Sequence, residues 1–506
     1  MQRVLSTAAA ELCRAGGVRF SPLDDSLATR VAKCPLGPTL PSAPPAGHAL
    51  ALGRHCLHRI EAANGRNLAR GLPRKPRMSA SKQLPVGIVG AGISGLVAAY
   101  HLAQRGFRVR MFEARNRIGG RIVTVTEQGC PLPLELGAEF IHGAAEPVMA
   151  LTDTMDMAVE PVADEHARFD GGKFRDIGGL WQRYARVLEG AEEAPDESAA
   201  EYLKRRRPSS SDAELFRLVV EGFEAAPVDD VSVLSLAREA HALSTAHLEL
   251  RPANGYGVLC NALAQHLAPG LVDIHLSTTV EEIAWAPDGR CELRVRQQDA
   301  TRIVETDRCV VTLPLGVLQS SSETGSLRFT PELEALATPL ALLSMGHVVK
   351  LVLLLREHPF MKSLPDTDFF HLPSGNFETF WQRRLPDLRV ITAWIGGTRA
   401  RSIEALDTRD LLDQVASDLA ECCSVLPGEI RDALVAAHHH DFSRDPFSLG
   451  AYPYVRPGGL DAVKAFGVPV ANTLFFAGDA TDPEHLGTVA GAIASGARAA
   501  RQIPSR

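Results

Sequence analysis

The stretch Val86-Gly87-Ile88-Val89-Gly90-Ala91-Gly92-Ile93-Ser94-Gly95-Leu96-Val97-Ala98-Ala99-Tyr100 decides the fold. Val86, Ile88 and Val89 form a short apolar run suited to a buried strand. Leu96, Ala99, Tyr100 and Ala103 then recur at helical spacing until Gly106 stops them. A second strand-like run, Phe107 to Glu113, follows at once. This is the βαβ start of a nucleotide-binding sheet. The pattern Gly90-x-Gly92-x-x-Gly95 lets backbone approach a pyrophosphate, whose charge would face free N–H groups and the positive end of the helix. Glycine turns are also common punctuation, so context carries the reading. Glu113, eighteen residues after Gly95, ends the second strand, where a carboxylate accepts hydrogen bonds from a ribose diol.

The residues that follow separate flavin from nicotinamide. Glu113-Ala114-Arg115-Asn116-Arg117-Ile118-Gly119-Gly120-Arg121 resembles the signature of the FAD-dependent amine oxidase family, with Arg121 placed to meet the pyrophosphate bidentately. Leu136-Gly137-Ala138-Glu139-Phe140-Ile141-His142-Gly143 is similar to the loop passing the flavin in polyamine oxidases, and Thr312-Leu313-Pro314-Leu315-Gly316-Val317-Leu318 resembles their following strand and turn. Phe475-Phe476-Ala477-Gly478-Asp479-Ala480-Thr481 and Gly487-Thr488-Val489-Ala490-Gly491-Ala492 resemble the carboxy-terminal flavin motif.

The resemblance spans about residues 83 to 506 and is nearest in motif to polyamine oxidases. It implies an α/β fold in which a Rossmann-like FAD-binding domain (83–165, 250–330 and 440–506) is interleaved with an α+β substrate-binding domain (166–249 and 331–439). The implied cofactor is a non-covalent FAD. Its expected contacts are Gly90, Ala91, Gly92, Gly95, Glu113, Arg115, Gly120, Arg121, Gly137 and Ala138. Val280 would meet the adenine through its backbone, and Gly478, Asp479, Thr488 and Val489 would lie near the ribityl chain and pyrimidine edge. From the residues alone, Val280 reads equally as a plain strand residue and Asp479 as a turn carboxylate.

Lys350 interrupts the apolar run Gly346 to Leu355. Buried there, its amine would be pushed toward neutrality; on an edge strand its head would reach solvent. The resemblance implies the first reading, a catalytic lysine hydrogen-bonded through water to the flavin. It likewise implies that Tyr452 stands over the flavin and orients the amine. Glu139 and His142, in the flavin loop, are expected to bind substrate ammonium groups, with Glu221 and Glu224 as distal anchors, although Glu139 reads equally as a carboxylate that only hydrogen-bonds backbone. The second aromatic of a monoamine oxidase cage corresponds to Thr488, and the histidine frequent in polyamine oxidases corresponds to Ala490. No Cys lies near Tyr452, so a covalent flavin is not expected.

Composition agrees with an ordinary globular chain: 45% apolar and 22% charged over 506 residues, enough for two packed units. Residues 1–82 carry a net +9, leaving −16 on the remainder. An acidic body attracts cationic ligands and repels nucleic acid, or serves only solubility. The nine Cys show no CxxC or zinc spacing, and consecutive His438, His439 and His440 point in different directions, so no metal is expected. No apolar run is long enough to span a membrane, and a cytoplasmic location is expected. Residues 1–82 read as a dispensable or transit-like extension, with Met78 as an alternative start. The expected reaction oxidises a small-molecule amine to an imine, with O2 reduced to H2O2. The alternatives are an L-amino-acid oxidase, which needs an arginine clamp, and a flavin-containing binding scaffold.

Overall fold

The computed structural model describes residues 84–143, 145–246, 249–321 and 326–505; the expected extension at 1–82, Met78 included, lies outside them. The opening stretch forms the strand Val86–Val89, the helix Ile93–Gln104 and the strand Val109–Phe112. These belong to a five-stranded parallel sheet ordered Val272–His275, Val109–Phe112, Val86–Val89, Arg308–Val311 and Leu474–Phe476. Three distant chain regions therefore supply one sheet. All four residues of Val86–Val89 are buried, as a strand covered on both faces requires. The glycine helix packs on the last helix, Val489–Gln502, where Ser94 Oγ lies 3.5 Å from Ser495 Oγ. Gly95 is obligatory in this packing, because a Cβ there would stand 2.2 Å from the Gly90 carbonyl oxygen.

A seven-stranded, mostly antiparallel sheet forms the second layer. Its order is Leu434–His439, Val348–Arg356, Leu388–Gly396, Thr379–Arg384, Phe369–His371, His166–Phe169 and Phe174–Asp176. The period of two along a strand sorts its faces. Val349, Leu351, Leu353 and Leu355 pack with Leu411, Val415 and Leu419 of the helix Thr408–Cys423. Val352 and Leu354 face the opposite way, onto Leu134 and Leu136. Lys350 shares their parity and so points toward the 136–140 loop. Trp394, its cross-strand neighbour, lies on the same face.

The stretches at 271–285, 291–296, 303–313, 346–355, 389–396 and 473–477 hold strands, and those at 408–422 and 487–502 hold helices. The helical region at 180–245 holds Leu180–Leu188, Ala199–Arg206, Ser210–Arg217 and Val233–Ala246. A π-helical turn, Leu218–Phe223, continues the third of these, a widening that commonly accompanies functional sites. No helix among the described residues is long and apolar enough to cross a membrane.

Candidate active site

A cavity of about 380 Å³ is lined by the glycine turn, the lysine strand, the π-turn and the start of the last helix. Its cofactor end is made largely of backbone. Gly90 and Gly92 line it, and Gly92 caps the helix Ile93–Gln104 without any side-chain hydrogen bond. The first-turn N–H groups are therefore free for an anion. Glu113 also lines it, buried; its Oε2 accepts from Ala91 N at 2.8 Å and its Oε1 from Arg115 N at 2.9 Å. Each oxygen keeps a lone pair for a ribose diol. Val280 lines the wall where its strand is irregular, the register slipping between Val280 and Glu282. Gly120, Gly137, Ala138, Gly478, Asp479, Thr488 and Val489 complete this half. Gly137 must be glycine, since a Cβ there would lie 1.9 Å from the Arg121 carbonyl oxygen.

Several of the expected contact residues have partners within the protein. Ala91 and Gly95 do not line the cavity. Ala91 instead links Glu113 to the turn, and Gly95 seats the helix against it. Arg115, expected to hold the cofactor, lines the cavity and also clamps a loop: Nη2 donates to Asp445 at 2.7 Å and Ser448 at 2.8 Å, and the guanidinium lies over Phe447. This steadies the segment leading to Tyr452. Arg121 forks onto Asp479, with Nη1 to Oδ2 at 2.8 Å and Nη2 to Oδ1 at 2.5 Å, and Nη1 also donates to Ala451 O at 2.6 Å. Two groups expected to touch the cofactor thus hold one another, leaving two of the five guanidinium N–H donors for phosphate.

The other end is made of side chains. Lys350 is only 4% exposed, and it is not an isolated amine: Nζ donates to Glu139 Oε2 at 2.9 Å and Gly137 O at 3.1 Å. Glu139, expected to meet substrate, is correspondingly engaged. Trp381 Nε1 donates to both its oxygens at 3.1 Å, and Arg251 Nη1 donates at 3.2 Å. Burial alone would push the Glu139 carboxyl up, but Lys350 and Arg251 together hold it below the usual carboxylate value. His142 pairs with Glu249 at 2.9 Å. Burial would lower the imidazole, but Glu249 holds it above its ordinary value. Tyr452 lines the cavity with its hydroxyl donating to the Phe223 backbone oxygen.

The sequence reading missed part of this wall. Glu239, from the helix Val233–Ala246, shares a hydrogen bond with Glu224, which follows the π-turn. Burial and the neighbouring Glu239 push the Glu224 carboxyl well above the carboxylate range. At 2.7–3.2 Å spacing, Asp164, His166, His371 and Thr379 form a hydrogen-bonded chain on the same wall. His438, His439 and His440 have three separate partners: Glu127, the Lys350 carbonyl and Asp445. No Cys lines the cavity among the described residues.

The comparisons with known proteins bear directly on this cavity. The family model of the flavin containing amine oxidoreductases matches residues 93–504. The chain belongs to this family. It is 27% identical over 481 residues to polyamine oxidase 4 of Oryza sativa subsp. japonica, covering 86% of this chain and 91% of that protein. It is 26% identical over 453 residues to human lysine-specific histone demethylase 2, covering 82% of this chain and 53% of the relative. Wild-type putrescine oxidase bound to putrescine has a similar fold, with a TM-score of 0.70 at 20% identity over 84% of this chain and 99% of the other. This flavin amine oxidase is accordingly an FAD-dependent oxidoreductase, and its uncapped helix, glycine wall and Glu113 carboxylate fit that cofactor.

Proposed function

We propose that this chain oxidises a small amine carrying a second cationic nitrogen, a diamine or polyamine, and passes the electrons to O2. The observation that carries this reading is the carboxylate pair Glu224 and Glu239 in the cavity wall, with Glu224 Oε1 buried and without a hydrogen-bond partner among the described residues. A distal ammonium would bind there in place of the shared proton, satisfying both groups. The assignment of 166–249 and 331–439 to the substrate is part of this proposal. An amino acid is disfavoured: the only arginines lining the cavity among the described residues are Arg115 and Arg121, tied to Asp445 and Asp479.

Bound FAD supplies the acceptor for two electrons. The substrate R–CH2–NH2 loses two electrons and two protons to become an imine, and water converts this to an aldehyde and an amine or ammonia. O2 takes up the same two electrons and two protons as H2O2. Tyr452, its hydroxyl anchored to Phe223, presents an immobile ring that orients the reacting nitrogen. Phe223 and Trp181, edge to face at 4.9 Å, exclude water between the two ends of the substrate. Lys350 offers a fixed N–H donor from the side-chain end.

A peroxide-coupled screen of putrescine, spermidine, spermine and length-matched monoamines tests the reading. Turnover is expected with the di- and polyamines. Glu224→Gln should raise their KM about tenfold, the worth of one charge-assisted hydrogen bond, and leave monoamines unchanged. Equal KM changes for both classes would refute the distal anchor, and no peroxide with any amine would refute oxidase activity.

A further inference from the structure

Lys350 and Glu139 form an ion pair inside a shell that leaves little else for either to do. The pair lies on the cavity face of two layers: Lys350 comes from the strand Val348–Arg356 and Glu139 from the loop between the strands Leu134–Glu135 and Ile141–His142. Nζ sits 5.2 Å from the centre of the Trp381 ring, while the indole N–H of the same residue donates to Glu139. One tryptophan thus contacts both the cation and its counter-ion. Arg251 stacks on Phe140 at 5.3 Å while donating to Glu139, so the carboxylate has donors on both oxygens. A carboxylate this buried and this fully bonded has no lone pair suitably placed for a mobile substrate, yet it fixes the position of one ammonium.

We propose that Glu139 is a positioning residue that holds Lys350 as a fixed ammonium at the wall of the FAD cavity, so that Lys350 serves as a charged hydrogen-bond donor rather than as a base. The charged and titratable groups facing the pair are Arg251 and Glu160 from one sheet, Arg383 from the lysine sheet and Glu135 from the strand before the flavin loop, while His439 on the neighbouring strand bonds the Lys350 backbone carbonyl. Among the described charged groups only Glu139 bonds Nζ directly, beside the Gly137 carbonyl. Removing its charge leaves Lys350 with the Gly137 carbonyl and the face of Trp381 in a buried site that holds no counter-ion bonded to Nζ among the described residues. The proposal rests on family membership and is independent of which amine is oxidised.

Its test uses the FAD-loaded protein without substrate. The visible spectrum of bound FAD is titrated from about pH 6 to about pH 10, where an amine freed of its counter-ion loses its proton. The parent spectrum should be flat. Glu139→Gln should introduce a titration step, Glu139→Asp should abolish most of it, and Glu139→Gln combined with Lys350→Met should abolish all of it. Turnover of Glu139→Gln relative to the parent should fall about tenfold from the acid to the alkaline end, equivalent to about 1.4 kcal/mol of barrier. Trp381→Phe keeps the ring but removes the donor to Glu139; it should give a weaker step of the same sign, and it replaces Glu139→Gln should that variant not retain FAD. A flat titration in the variant used, or a step that survives Lys350→Met, overturns the proposal.

Discussion

The glycine turn at 90–95 and the lysine strand at 348–356 face the same cavity by opposite means. The turn offers backbone: an uncapped helix end, with Gly90 and Gly95 placed where no Cβ fits. The strand offers a side chain whose meaning depends on Glu139, Gly137 and Trp381, all remote in sequence. A backbone site is built from consecutive residues, so its tolerance should be all-or-none. A side-chain site is assembled across the fold, and its losses should be graded.

The sharpest way to break that contrast is at Gly137. Gly137→Ala sets a Cβ against the Arg121 carbonyl oxygen, and overpacking of this kind costs about 1–3 kcal/mol. FAD affinity should fall about ten- to a hundredfold, read by cofactor retention and titration. Retention equal to the parent would show that the backbone wall yields as readily as the side-chain wall. At the other end, Lys350→Met should keep FAD bound and slow turnover about tenfold, equivalent to about 1.4 kcal/mol of barrier. Unchanged steady-state rates would remove Lys350 from the catalytic machinery.

The smallest effect concerns Glu135, buried at the end of the strand Leu134–Glu135. Burial raises its carboxyl to about 7, against the lowering influence of its bonds from Thr124 and Tyr256 N. A carboxyl raised on folding adds stability below its unfolded value, and that contribution fades as pH rises through the folded value. Melting temperature of the holoprotein should therefore decline between about pH 5 and about pH 8, and Glu135→Gln should flatten part of the decline. An identical slope in the variant would assign the decline to other groups.

The same contrast explains what was legible in the sequence. The βαβ start of the parallel sheet and Glu113 could be read because strand period, glycine spacing and a terminal carboxylate all lie within thirty residues. Arg115 and Glu139 were recognised as important types in the right loops, but their partners were invisible: Asp445 is 330 positions from Arg115, and Lys350 is 211 from Glu139. No local pattern shows that two such groups will neutralise one another instead of meeting a ligand. Glu239 carried no signal at all, being one acid in an amphipathic helix until the π-turn brings Glu224 against it. The strands Phe369–His371 and Thr379–Arg384, with Trp381, were missed because short runs mixing aromatic, polar and charged residues lack a clear period.

The most direct test of the account is anaerobic mixing of the FAD-loaded protein with putrescine or spermidine, followed in the visible flavin band. The band should bleach with either diamine or polyamine and return on admitting O2 with release of H2O2, while a length-matched monoamine bleaches it far more slowly. An unchanged band with every amine, in protein shown to retain FAD, would contradict it.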